Sequence, residues 1–392
     1  MKPLIPALRI APMGVVPRLP SPAPVSARLL STDAPGGAPG PQETIPGTRI
    51  PVFRTVAAVR AWRRGQLLAR RSVGLVPTMG ALHAGHLALV RAAARDTHAV
   101  VVSVFLNPAQ FGAREDLASY PVTWDADAAA LARLDGALAD QAQAQADGGG
   151  GRVAAVFAPP TSELYPSGFP GQEPDSAGSF VTITPVGGLL EGRSRPTFFR
   201  GVATVCMKLF HAVQPDRAYF GQKDVQQTVV VRRMVRDFCV PTRIVVEPTE
   251  REPDGLALSS RNVYLGARRR RVATVLSRAL RAAADVFRAG ERGRGAILGA
   301  ANHVTASTLA EEERKPEAKR VRFEVDYISL SDPDTMEEVE VADPDRGAIL
   351  SGAIKMLPVE QPQDGEDLGH SNGPAVRLID NIILEPPGTR TA

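Results

Sequence analysis

Residues 72–106 read SVGLVPTMGALHAGHLALVRAAARDTHAVVVSVFL, and this stretch sets the expected fold. Its first five residues are an apolar run that Pro77 is expected to stop. Over residues 85–96 the apolar side chains of Leu87, Leu89, Val90 and Ala93 recur at helical spacing. Residues 99–106 are a continuous Val-rich run of the kind buried on both faces of a parallel sheet. Strand, helix and strand with short connections make a parallel βαβ unit. The pattern extends both ways, with helices expected at 55–71, 200–213 and 223–238 and strands at 153–157, 218–220 and 242–247. Residues 52–262 are therefore expected to form a Rossmann-like α/β domain on a parallel sheet.

The second half reads differently. A single basic, Ala-rich helix is expected over 266–289 and another over 296–310, followed by strands at 321–330, 348–356 and 375–384. Helices followed by pairing strands predict a smaller α+β domain with an antiparallel sheet over 263–392. Residues 359–374 are polar and Gly/Pro-rich and are expected to form an exposed loop. An Ala-rich helix from about 126 decays into a low-complexity insertion at 141–151, and 33–51 is a Pro/Gly-rich linker.

Composition narrows the function classes. The chain has 392 residues, 44% hydrophobic and 22% charged, ample for a buried core. Its net charge is only +4, aromatics are 5%, and the basic residues are scattered, which argues against nucleic acid as partner. No run of 18 apolar residues exists, so no helical membrane span is expected. Cys206 and Cys239 both sit in apolar stretches and are expected to be reduced core residues, as in a reducing compartment. Residues 1–32 carry Lys2, Arg9, Arg18 and Arg28 and no acid, the composition of a mitochondrial leader. Seven prolines in the first 24 residues oppose the amphipathic helix such leaders form. The expected location is cytoplasmic, with the mitochondrial matrix as the alternative.

Four stretches carry chemistry. His83-Ala-Gly-His86 opens a helix after a strand, where unpaired amides and the helix dipole favour phosphate. A lone imidazole is more often structural, but two in the first turn add donors able to follow charge onto a bridging oxygen. Gly85 lets a ligand approach the backbone. Ser259-Ser260-Arg261-Asn262 offers hydroxyls and a cation suited to phosphate oxygens, although four letters alone are also compatible with a cap and a surface arginine. Gly221-Gln222-Lys223-Asp224 lies at a strand-to-helix turn, with Gln227 one turn further on. Lys223 can neutralise phosphate and Asp224 can accept from ribose hydroxyls, or the two can be an ordinary surface pair. Asn107-Pro-Ala-Gln110 places neutral amides beside an apolar wall, which suits a small hydroxy acid; Asn107 also fits a turn.

Together these stretches resemble the pantoate-beta-alanine ligase family, within the nucleotidyl-transferring superfamily that shares His-x-Gly-His. The resemblance runs over about 52–384 and includes LeuTyrPro at 164–166, GluGly with ArgPro across 191–196, and ArgLeuIleAspAsn at 377–381. It implies ATP-dependent joining of pantoate to β-alanine through a pantoyl-adenylate. It implies that His83 and His86 act on the phosphates, that Lys223, Ser259, Ser260 and Arg261 hold them, and that Asp224 and the Gly221 backbone meet the ribose. Met79, Gly85 and Leu258 would line the ATP site, and Gln110 and Gln227 would clamp pantoate. Mg²⁺ is expected on the phosphates, with Asp125 and Asp127 as the acids expected to help hold it. A homodimer is implied as well.

The family pattern is broken in places. Thr197 and Phe198 stand where Gly and His are usual, Gln222 where Glu is, Val225 where Tyr is, and Val122 where Arg is. The insertions at 141–151 and 359–374 point to a eukaryotic, fungal-type member. Two other readings compete: a nucleotidyltransferase acting with CTP or ATP on a phosphorylated substrate, and a non-catalytic member kept as a binding module. The first would not need Gln110 and Gln227 in a neutral pocket.

Overall fold

The computed structural model describes residues 43–113, 115–144 and 150–386. The expected leader, the first part of the linker and the Gly-rich centre of the 141–151 insertion lie outside the described residues. In chain order the strands and α-helices are β1 (Val52–Phe53), α1 (Val56–Leu68), β2 (Val73–Thr78), α2 (Ala84–Asp96), β3 (Ala99–Val104), α3 (Trp124–Ala144), β4 (Arg152–Phe157) and α4 (Thr161–Leu164). Then come α5 (Glu191–Ser194), α6 (Phe198–Val213), β5 (Arg217–Gly221), α7 (Val225–Asp237) and β6 (Arg243–Glu247). The C-terminal part adds α8 (Gly266–Arg270), α9 (Val275–Arg288), α10 (Arg294–Glu313), β7 (Phe323–Ser331), β8 (Ala348–Met356) and β9 (Val376–Leu384).

Six strands form one parallel sheet in the order β1-β4-β3-β2-β5-β6, as the Val-rich runs predict. Successive residues serve opposite faces. Leu75 and Val101 pack with α1, α6 and α7, while Val76, Val100 and Val102 pack with α2 and α3. From β2 the chain steps to β3 on one side, and the later β5 lies on the other. The gap between β2 and β5 is thus a topological switch point, where open α/β sheets bind ligands. A second sheet, β7-β8-β9, is antiparallel and buries Leu350, Ile354 and Leu378 against Ala279, Leu280 and Phe287 of α9.

Several boundaries differ from expectation. Pro77 does not stop β2, which runs to Thr78. β2 meets β5 only at Gly74 and Leu75, so the missing N–H of Pro77 removes no bond from that ladder. The helix expected over 266–289 is two helices, α8 and α9; near the end of α8 the Arg269 side chain is buried and gathers backbone carbonyls of Leu265 and Pro374. Those bonds also tie down the far end of the 359–374 loop, reinforced by Arg268 on Glu366. Cys206 is buried as expected, but Cys239 is exposed at the left-handed turn after α7. Edge strand β1 was not foreseen; two residues carry no readable period.

Candidate active site

The first motif sits at the switch point. β2 ends at Thr78, and the turn that follows places Gly80 and Ala81 at positive φ before α2 begins. His83 caps α2, its Nδ1 accepting from Gly85 N at 3.2 Å, while His83 N donates to His86 Nδ1 at 3.4 Å. The two rings lie 4.1 Å apart. With Nδ1 of each ring occupied as an acceptor, the neutral tautomer carries its proton on Nε2. Burial, then Lys223, pushes the His83 pKa down to about 4, and burial, then His83 and Lys223, pushes that of His86 down to about 3. Both are therefore uncharged donors at neutral pH.

The two acids expected at the metal stand apart from the cavity lining. Asp127 is 2% exposed and its carboxylate accepts from Ala81 N at 2.9 Å, Leu82 N at 2.8 Å and the Thr123 hydroxyl at 3.0 Å. It braces the strained turn before His83. Asp125 is exposed on α3, and neither acid lines the cavity. Among the described residues no group of three or more His, Cys, Asp or Glu is arranged to hold a metal.

A cavity of about 1060 Å³ gathers the other candidates. Met79, His83, Gly85, His86, Gln110, Gly221, Lys223, Asp224, Gln227, Leu258, Ser259, Ser260 and Arg261 all line it. Lys223 and Asp224 lie in a 3₁₀ turn between β5 and α7, their charged atoms 3.4 Å apart, so the pair exists but faces the cavity. Ser259 caps the next 3₁₀ turn by accepting from Arg261 N, and Tyr120 Oη lies 3.0 Å from Ser260 Oγ. The Arg261 guanidinium stands 5.8 Å from the Tyr120 ring centroid.

Asn107 proves to be scaffold for Gln110. Fully buried, it accepts from the Tyr165 hydroxyl at 2.7 Å and donates to Gln110 Oε1 at 3.1 Å and Gly201 O at 3.2 Å. Gln110 Nε2 in turn lies 2.9 Å from Met79 Sδ. α6 presses on this loop so closely that a Cβ on Gly201 would fall 2.1 Å from Ala109 O. Apolar side chains of Phe105, Phe198, Val202 and Leu209 complete this end of the cavity.

With this geometry in hand, the comparisons are decisive. A family model described as Pantoate-beta-alanine ligase matches residues 51–383. The chain belongs to the pantoate-beta-alanine ligase family. It is 42% identical to a pantothenate synthetase of Roseiflexus castenholzii over 85% of this chain and 100% of that protein. A Chloroflexus aurantiacus pantothenate synthetase is 44% identical, over 86% and 99%. The crystal structure of pantothenate synthetase from Thermus thermophilus superposes with a TM-score of 0.65 at 39% identity, covering 86% of this chain and 99% of that one. A Francisella tularensis pantoate-beta-alanine ligase, solved with beta-gamma ATP and beta-alanine, gives 0.58 at 26%, covering 86% and 98%.

Where this chain leaves the ligase pattern, the structure gives each substitute a place. Phe198 is buried, and the Arg195 guanidinium lies 3.8 Å over its ring. Thr197 precedes α6 without a side-chain cap bond. Val225 is core, and Val122 is 78% exposed. Gln222 Nε2 donates to Asn381 Oδ1 at 3.2 Å. Asp380 and Asn381 fall in the 377–381 segment of the resemblance, but no role follows from the sequence for either. Nor does a role follow for Arg251, for Tyr120 or for the ion-pair chain Glu115–Arg195–Glu191–Arg377–Asp326 at the cavity wall. Buried acids and arginines at such separations leave no periodic signal, so only the fold brings them together.

Proposed function

We propose that this chain condenses pantoate with β-alanine at the expense of ATP, through a pantoyl-adenylate, releasing pyrophosphate and then AMP. One observation carries the reading: the two imidazoles, Lys223 and the Ser259–Arg261 turn line the same cavity as Gln110 and Gln227. Lys223 and Arg261 supply cations and Ser259 and Ser260 hydroxyls for the β- and γ-phosphates. Asp224 and the Gly221 backbone receive the ribose, and Met79, Gly85 and Leu258 border the nucleotide. Neutral His83 and His86 donate Nε2–H to oxygens that gain charge as the pantoate carboxylate attacks the α-phosphorus. Gln110 and Gln227 hold the pantoate hydroxyls against the apolar wall. The β-alanine amine then attacks the acyl carbon and AMP leaves.

The described residues do not fit a protein-built cage for Mg²⁺, since Asp127 accepts three hydrogen bonds in bracing a turn, Asp125 is exposed and not among the cavity's lining residues, and no group of three or more His, Cys, Asp or Glu is arranged for a metal. The cation belongs to this reading only as part of the MgATP substrate. The homodimer rests on the family resemblance. The choice between cytoplasm and mitochondrial matrix rests on the basic, acid-free residues 1–32, and among the described residues no helix is long and apolar enough to cross a membrane. The two-domain division at 262/263 is part of the same reading. Omitting pantoate, β-alanine and MgATP in turn tests it. Pyrophosphate release should require pantoate and MgATP, and pantothenate should require all three; release with a phosphorylated alcohol in place of pantoate would overturn it.

A further inference from the structure

Adjacent residues on a strand project to opposite faces, so a strand dipeptide can grip two loops at once. Asp380 and Asn381 on β9 do this. Asn381 is 1% exposed and donates from Nδ2 to Gln222 O at 2.8 Å and Lys223 O at 2.9 Å, while its Oδ1 accepts from Gln222 Nε2. The turn bearing Lys223 is therefore held by one side chain at two backbone carbonyls and at the Gln222 side-chain amide. Asp380, 4% exposed, accepts both arms of Arg251, at 2.6 and 2.8 Å, and its Oδ1 also takes Asn381 N at 2.8 Å. Arg251 lies in a hairpin: it bridges Ala257, Leu258 N donates to Glu250 O at 3.0 Å, and Ser259 follows directly. Both arms of the phosphate site thus hang on one point of a strand held in continuous register with β8.

We propose that Asp380 and Asn381 are positioning residues for the adenylation step, Asn381 setting the height of Lys223 and Asp380, through Arg251, that of Ser259–Arg261. This rests on the reading that those groups hold the ATP phosphates. A charge-assisted fork is the strong, directional bond such a task needs. A merely structural pair would lower stability and leave each folded molecule's handling of ATP intact. The two roles therefore separate in kinetics normalised to folded protein.

The experiment measures pantoate-dependent pyrophosphate release, the KM for ATP and for pantoate, and thermal midpoints for Asn381→Leu and Asp380→Asn. Each should lower kcat/KM for ATP by about 10- to 10²-fold while the pantoate KM stays within about twofold, since displacing a contact by an ångström is costly. Should Asn381→Leu fail to fold, Asn381→Ser, which keeps one donor, should show an intermediate loss in the same parameter. Values of kcat/KM for ATP within about twofold of the unsubstituted chain, whatever the thermal midpoint, would overturn the proposal. No pantoate-dependent pyrophosphate release from the unsubstituted chain would overturn the underlying reading, and the proposal with it.

Discussion

At the scale of single residues, the two imidazoles carry the most chemistry and the least charge. A half-buried ring whose Nδ1 is already an acceptor loses little by staying neutral and a good deal by taking a proton away from water. His83 and His86 therefore meet an incoming triphosphate as donors, and the phosphate charge then raises their proton affinity as ATP binds. The sign of the linked stability follows. Below about pH 6.5 the unfolded chain binds protons that the folded chain, with values near 4 and 3, refuses. Without nucleotide, stability should be full above pH 6.5 and fall as pH drops toward those values. A His83→Asn, His86→Asn double variant should show a shallower fall of the thermal midpoint across that window; an identical fall would contradict neutral burial. Asp127 shows the limit of residue-by-residue reading. Its type and place suggested a metal, yet the three donors that use it up, Ala81 N, Leu82 N and the Thr123 hydroxyl, are visible only in the folded turn.

At the scale of elements, hydrophobic period fixed type and order better than ends. β2, α2 and β3 fall where the Val-rich runs and the Leu87–Ala93 spacing put them, and β8 matches its expected bounds fully. Period does not register the buried arginine near the end of α8, and the break between α8 and α9 was not legible. It is equally blind to backbone packing on backbone. Gly201 lets α6 lie on the Ala109 carbonyl, and that contact, with Asn107 Nδ2 on Gly201 O, sets the depth of the Gln110 loop. An added methyl would stand 2.6 Å from Gln110 N, with no flexible side chain to yield. Gly201→Ala should therefore raise the pantoate KM by about 10²-fold with a far smaller change in the ATP KM, because the atoms the methyl would displace are the Ala109–Gln110 backbone. Steady-state titration of each substrate reads this directly. A pantoate KM unchanged by the substitution would mean that α6 does not set the loop.

At the scale of the molecule, motifs far apart in sequence converge because the strand order turns at β2 and β5, and that much follows from strand-to-helix motifs read in order. What holds the antiparallel sheet to the cavity wall was not legible, since its groups come from four separate segments. Glu191 is the centre of that chain: its carboxylate takes Arg195 of the next turn and Arg377 of β9, at 3.0 and 2.9 Å, and Arg377 goes on to Asp326 of β7. Arg195 also forks onto Glu115 beside the Gln110 loop. Three acids and two arginines leave no surplus of positive charge, and the Glu191 and Arg195 side chains are only 7% and 11% exposed. Removing Glu191 leaves Arg195 with Glu115 and Arg377 with Asp326, each short of one acceptor in a part-buried wall, which costs more than losing a surface bridge. Glu191→Ala should therefore lower the unfolding free energy by about 3–5 kcal/mol in urea, and removing Arg377 as well should cost less than the sum of the two single losses. Strictly additive losses, or a Glu191→Ala cost below about 1 kcal/mol, would place these groups with ordinary surface pairs.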